Sequence, residues 1–157
     1  GCPFEGVLYG GLMKTPDGIK VIEFNARFGD PETAVVLPRL KRDLVDIICA
    51  VADGGDTQLV WDDRPALGIV LASKGYPDSY EKGHEIKGLD RVEGTVDHMG
   101  TKADGDRVVT AGGRVRFVVG RGAPLAEARE AALRDVARIE CDNLFHRTDI
   151  GHWALDK

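Results

Sequence analysis

Residues 23–32, Glu-Phe-Asn-Ala-Arg-Phe-Gly-Asp-Pro-Glu, decide the reading of this chain. Glu23, Asn25 and Arg27 fall at i, i+2 and i+4, a spacing that sets all three on one face of a β-strand. Ile22, Phe24, Ala26 and Phe28 then line the other face, and the alternation predicts that this apolar side is buried in a core. An acid, an amide and a guanidinium on one strand face suit a nucleotide phosphate and its metal. The carboxylate and amide oxygens are hard ligands matched to Mg²⁺, which also binds substrate phosphates. The guanidinium has the fork geometry that neutralises a phosphoryl group. Polar residues facing outward are also the ordinary pattern of any half-buried strand, so alternation alone leaves both readings open. The following Gly29, Asp30, Pro31 and Glu32 read as a turn into a helix, with Asp30 as N-cap and Pro31 at the first helical position. A polar strand end beside a helix N-terminus is a place where anions bind.

Working outward, residues 7–13 and 20–28 are apolar-rich runs joined by Thr15-Pro16-Asp17-Gly18, strong turn chemistry that predicts a β-hairpin. Residues 31–40 read as helical, with Pro38 ending or kinking the helix. Asp43 is the expected cap of a second helix, in which Leu44, Ile47, Ile48 and Val51 form one apolar stripe and Cys49 reads as a small core residue. Gly54-Gly55 stops it. Beyond about residue 56 the texture changes. Residues 66–73 form a continuous apolar run, a buried strand, and 84–87, 93–97, 107–110 and 115–120 read as further short strands separated by Gly and Asp. That pattern predicts a compact antiparallel sheet or a barrel-like unit. Pro124 opens a last long helix with Ala128, Ala132, Val136 and Ile139 on one face. Asp104-Gly105-Asp106 and Gly112-Gly113 read as turns.

The 157 residues are 43% hydrophobic and 30% charged, enough apolar content for a core. A formal net charge of −5 argues against a nucleic-acid partner. No apolar run approaches the ~20 residues that span a bilayer, and no signal-peptide pattern opens the chain, so no membrane partner is expected. The three cysteines are scattered, which argues against both a disulfide framework and a cysteine-based zinc site and suits a reducing cytoplasm. His84, His98, His146 and His152 have no metal-ligand spacing.

Several ordered motifs resemble one family. Gly6-Val-Leu-Tyr-Gly-Gly-Leu-Met13 and Lys20-Val-Ile-Glu-Phe-Asn-Ala-Arg-Phe-Gly-Asp-Pro-Glu-Thr33 resemble the last part of the ATP-grasp domain of the phosphoribosylamine–glycine ligases. Val36-Leu-Pro-Arg-Leu-Lys41, Leu67-Gly-Ile-Val-Leu-Ala72, Gly75-Tyr-Pro77, His98-Met-Gly-Thr-Lys102, Thr110-Ala-Gly-Gly-Arg-Val115 and Arg147-Thr-Asp-Ile-Gly151 follow in the family's order. The resemblance implies an α+β chain. Residues 1–58 would be the end of an ATP-grasp domain and 59–157 a small C-terminal domain, with the boundary falling between about 54 and 62. It implies Glu23 and Asn25 as ligands of Mg²⁺ or Mn²⁺ bridging ATP phosphates, and Arg27 as the catalytic cation at the transferred phosphate or the acyl-phosphate intermediate. Gly29, Asp30, Pro31 and Glu32 become a substrate loop near the glycine or amine site. Lys102 and Arg147 would hold the ribose 5-phosphate.

Two positions depart from the family pattern: Ala34 stands where glutamine is usual, and Trp153 where a basic residue is usual, which removes a cation from the segment expected to hold the phosphate. The implied substrates are ATP, glycine and 5-phosphoribosylamine, joined to glycinamide ribonucleotide in purine biosynthesis. The chain opens Gly1-Cys2-Pro3 without an initiator methionine, so a C-terminal fragment lacking the N-terminal part of the enzyme, and inactive alone, is expected. The alternatives are another ATP-grasp ligase or carboxylase, or a non-catalytic folded module.

Overall fold

The computed structural model describes residues 1–155, which divide into two compact units, Gly1–Asp62 and the remainder from Asp63 onward. The first unit begins with the expected hairpin. Strands β1 (Tyr9–Thr15) and β2 (Gly18–Asn25) pair antiparallel from Thr15↔Gly18 to Tyr9↔Asn25, with a register shift between Gly11 and Leu12. The turn closes where the Thr15 hydroxyl donates to the Gly18 carbonyl at 2.8 Å, and Gly18 takes a positive φ of 102° that few other residues adopt.

Two expectations about this strand fail. Ile22 and Phe24 are 65% and 63% exposed, because among the described residues no second layer packs on the hairpin. Val21 and Leu12, on the other side, are exposed as well. Strand β2 also stops at Asn25, where its pairing partner β1 begins, so Arg27 lies in a bend beyond the strand and not on its polar face.

Helix α1 is one turn, Thr33–Val36, continued by a 3₁₀ turn at Leu37–Arg39. Pro38 lacks the amide that an α-helical ladder needs, so the α-helix ends before it. Glu32 occupies the N-cap position in place of the expected Asp30, and its side chain makes no capping hydrogen bond. Helix α2 (Leu44–Ala52) starts as its sequence dictates: the Asp43 carboxylate accepts from the Val45 amide at 2.7 Å and the Asp46 amide at 3.3 Å. Gly54 at φ 67° turns the chain, and the Gly55 amide bonds the Ala50 carbonyl. Of the apolar stripe only Ile47 is buried, and Cys49 is exposed, not a core residue, because the helix lies on a small unit with little surface to cover it.

The second unit holds a four-stranded antiparallel sheet in the order β4-β7-β3-β8 and a separate hairpin β5-β6. Its strands are β3 (Ala66–Ser73), β4 (Thr95–His98), β5 (Thr101–Asp104), β6 (Arg107–Thr110), β7 (Arg114–Arg121) and β8 (Leu144–Phe145). The sheet is open, with β4 and β8 at its edges. Residues 84–87 do not form the expected strand; they make only isolated bridges, Glu85↔Val109 and Lys87↔Glu140, because their two neighbours lie on different segments. Helix α3 (Leu125–Val136) packs Ala128, Ala132 and Val136 onto Leu67, Ile69, Leu71 and Val118. The small helix face permits close approach. A Cβ at Gly120 would lie 2.1 Å from the Ala128 carbonyl oxygen and 2.4 Å from the Ala132 nitrogen. On the other face the Phe117 ring covers Gly68, where a Cβ would meet it at 2.0 Å.

Two buried charges stand out. Asp135, 3% exposed, accepts from the backbone amides of Glu93 and Gly94 at 3.1 and 2.8 Å and from the Arg138 guanidinium at 2.7 Å, which ties the approach to β4 onto α3. Arg116, 1% exposed, has no carboxylate partner, and its Nε and Nη2 have no hydrogen-bond partner among the described residues. It sits in register between Leu71 and His98, and burial lowers its pKa from the ordinary value. A short helix α4 (His152–Leu155) follows β8, after a segment pinned by Arg129, which donates to the carbonyls of Thr148 and Ile150.

Candidate functional site

The residues singled out in the sequence fall into two groups, one in each unit. In the first, Glu23 and Asn25 share one face at the end of β2, as their spacing requires. Glu23 pairs in register with Gly11, which leaves its carboxylate without a bulky neighbour opposite, and Asn25 pairs with Tyr9. Tyr9 is the residue that sequence reasoning missed. Its hydroxyl donates to Glu32 Oε1 at 3.1 Å, across 23 positions of sequence. That bond raises the Tyr9 pKa from its ordinary value; desolvation and the Glu32 and Glu23 charges add to the rise, and Arg27 opposes it. Tyr9 therefore feels Glu23, Arg27 and Glu32 together, although Arg27 has left the strand. The signal in the sequence was only Tyr9's place at the open end of the hairpin, opposite Asn25.

The turn of residues 29–32 is closed by Thr33, whose amide and hydroxyl both donate to the Gly29 carbonyl, at 3.1 and 2.5 Å. Gly29 is buried, and a Cβ there would lie 2.7 Å from Glu32 Oε2 and 3.0 Å from the Tyr9 ring, so a larger residue would have to displace the Glu32 side chain or the ring. Arg27 donates Nη1 to the Phe28 carbonyl at 2.9 Å and is exposed, leaving donors for an anion.

Among the described residues no three His, Cys, Asp or Glu side chains come together as a metal site. The chain offers a divalent cation one carboxylate, Glu23, and one amide oxygen, Asn25. The Asn25 Nδ2 is buried without a hydrogen-bond partner among the described residues; a cation would be held by the oxygen of that amide and not by this nitrogen. This donor set fits Mg²⁺, which takes few protein ligands and fills its octahedron with phosphate and water oxygens.

The second group is looser. Lys102 is exposed on β5. Arg147 follows β8 and forks onto Asp149, with Nε on Oδ1 at 2.9 Å and Nη2 on Oδ2 at 2.5 Å. That pair holds the Asp149 carboxyl below its ordinary pKa and raises that of Arg147. No hydrogen bond or ion pair joins Lys102 to Arg147 among the described residues. Trp153, on α4, is 68% exposed.

A hairpin with Glu23 and Asn25 on one face of its second strand, an arginine bend and a closed turn, together with an antiparallel sheet that carries α3, is the arrangement expected from the resemblance to the ATP-grasp ligases. The comparisons agree. Residues 66–153 match the family described as phosphoribosylglycinamide synthetase, C domain, and residues 1–33 match its ATP-grasp (A) domain. The chain belongs to the phosphoribosylglycinamide synthetase family. It is 53% identical over 154 residues to a phosphoribosylamine–glycine ligase of Halalkalibacterium halodurans, covering 97% of this chain and 36% of that protein. With the ligase of Allochromatium vinosum it shares 50% identity over 161 residues, 99% of this chain and 38% of the relative. The crystal structure of the Thermotoga maritima phosphoribosylamine–glycine ligase superposes with a TM-score of 0.81 at 34% identity, over 91% of this chain and 36% of that one. The chain thus spans a little over a third of the length of the relatives it matches. No helix of the described residues is long and apolar enough to cross a membrane.

Proposed function

We propose that this chain is the C-terminal part of a ligase that joins glycine to 5-phosphoribosylamine at the expense of ATP, forming glycinamide ribonucleotide, ADP and phosphate in the purine pathway of the cytoplasm. The observation that carries the reading is the Tyr9, Glu23, Asn25, Arg27 and Glu32 cluster, with its Mg²⁺-type donors beside a glycine-closed turn. Glycine's carboxylate oxygen attacks the γ-phosphorus of ATP and ADP leaves. The amine nitrogen then attacks the acyl carbon of glycyl phosphate, the C–O bond to phosphate breaks with its electron pair, and the amine sheds a proton. A carboxylate oxygen is a poor leaving group, and phosphorylation removes that obstacle.

In this reading Glu23 and Asn25 hold Mg²⁺ or Mn²⁺, which supplies charge neutralisation at the ATP phosphates when bound. Arg27 meets the charge that develops on the transferred phosphoryl group, and residues 29–32 border the amino-acid site. Lys102 and Arg147 supply cations for the ribose 5-phosphate, Arg147 by exchanging Asp149 for the phosphate.

The bare hairpin supports the same reading. A two-stranded hairpin is marginal in water, and exposed Ile22 and Phe24 leave an apolar face for a second layer to cover. The test is a chimera in which this chain replaces the matching part of the Halalkalibacterium halodurans ligase. We expect ATP-dependent formation of glycinamide ribonucleotide, and Glu23→Ala to lower it by about a hundredfold or more. A chimera that folds and binds ATP but makes no product overturns the reading. The 157-residue chain alone is expected to be inactive.

A further inference from the structure

We infer that Tyr9 is a positioning residue that aims the Glu32 carboxylate, and with it the turn of residues 29–32, at the amino group of the glycine substrate; the inference rests on the ligase reading above. Three observations converge on it. The Tyr9 hydroxyl donates to Glu32 Oε1 at 3.1 Å, so an aromatic ring rooted in β1 reaches the start of α1. Glu32 stands at the N-cap position of α1, yet its side chain makes no capping bond; its carboxylate is committed to Tyr9 instead. Gly29 lies against both, so that a Cβ there would stand 2.7 Å from Glu32 Oε2 and 3.0 Å from Tyr9 Cε2.

The consequence is a carboxylate with Oε1 held by Tyr9 and Oε2 beside Gly29, on a residue that remains exposed. A carboxylate fixed in that way is an acceptor for an ammonium group, and its fixed direction favours a small amino acid, whose single charged nitrogen must be placed while its carboxylate faces the phosphoryl donor. Tyr9 touches no reacting atom. It acts through Glu32, and the hairpin register that sets Tyr9 opposite Asn25 places the positioning device and the metal-type donors on the same hairpin.

Tyr9→Phe keeps the ring against Gly29 and removes only the hydroxyl. In the active chimera we expect KM for glycine to rise about fivefold, the loss of one hydrogen bond to a charged group at a partly exposed site, with kcat and KM for ATP within about twofold. Tyr9→Phe combined with Glu32→Gln should raise it no further than Glu32→Gln alone, since both act on one contact. In the 157-residue chain, amide hydrogen exchange at Thr33–Val36 should accelerate about fivefold in either single variant. An unchanged glycine KM in an active Tyr9→Phe chimera overturns the positioning role, and so does a proportional change in all the constants. A folded but inactive unsubstituted chimera overturns the ligase reading and the substrate side of this inference together. Unchanged exchange in the isolated chain overturns the Tyr9–Glu32 contact itself.

Discussion

Arg116→Leu is expected to stabilise this protein. Arg116 is 1% exposed on β7, between Leu71 of β3 and His98 of β4 in register, with no carboxylate against it. Its Nε and Nη2 are both buried without a partner among the described residues. Each unsatisfied buried donor costs about 1–3 kcal/mol, and more when the group is charged. Leucine has a similar bulk, keeps the aliphatic contacts with the helix-facing side of the sheet, and removes both orphan donors. The gain is partly offset by imperfect packing where the guanidinium was, since residual cavity volume is itself destabilising. A net stabilisation of about 1–3 kcal/mol follows. In urea denaturation this appears as an upward shift of the midpoint by about 1 M with an unchanged slope. Arg116→Lys is the control, because it keeps a buried charge and should give no gain. A destabilisation by Arg116→Leu of about 1 kcal/mol or more would refute the reasoning, since it would mean that the guanidinium is satisfied in the folded protein.

Three further outcomes follow from the same packing. Gly120→Ala forces a Cβ to 2.1 Å from the Ala128 carbonyl oxygen, so α3 must lift from the sheet; thermal denaturation should show a loss of about 2–3 kcal/mol, and a neutral result would contradict the close approach. Asp135→Ala leaves the Glu93 and Gly94 amides without their acceptor and should destabilise by about 2 kcal/mol, measured by chemical denaturation. His98 is held below its ordinary pKa of 6.5 by burial first and by the Arg116 charge second, with Asp97 pulling the other way. Protonation therefore favours the unfolded chain. The stability linked to a neutral His98 is present above 6.5, declines as pH falls below it, and is lost once pH passes the lowered folded value. Arg116→Leu should move the His98 titration, followed by NMR, back toward 6.5 and narrow that pH window; a shift further down would contradict the assignment.

What was legible in the sequence was what short-range chemistry controls. Pro16-Asp17-Gly18 makes the hairpin turn, Asp43 caps α2, Gly54-Gly55 ends it, and the unbroken apolar run of β3 marks a strand covered on both faces. The spacing of Glu23 and Asn25 was enough to put a carboxylate and an amide on one strand face, because the two-residue period of a strand is a property of the backbone itself. Only tertiary structure decided where β2 ends, since a strand lasts as long as its partner, and β1 begins opposite Asn25. It alone decided that Ile22 and Phe24 are exposed, because burial belongs to the surface that covers a side chain and not to the side chain. Residues 84–87 carry a strand-like pattern, yet their neighbours lie on two separate segments, and a pattern does not name its partner. Likewise Tyr9 and Glu32 stand 23 residues apart, and nothing in their local sequence announces the hydrogen bond between them. The chain's own chemistry thus determined which groups were available at the hairpin end. The long-range pairing of strand, turn and helix decided which of them meet, because contact across a chain is set by how its elements pack and not by their order along it.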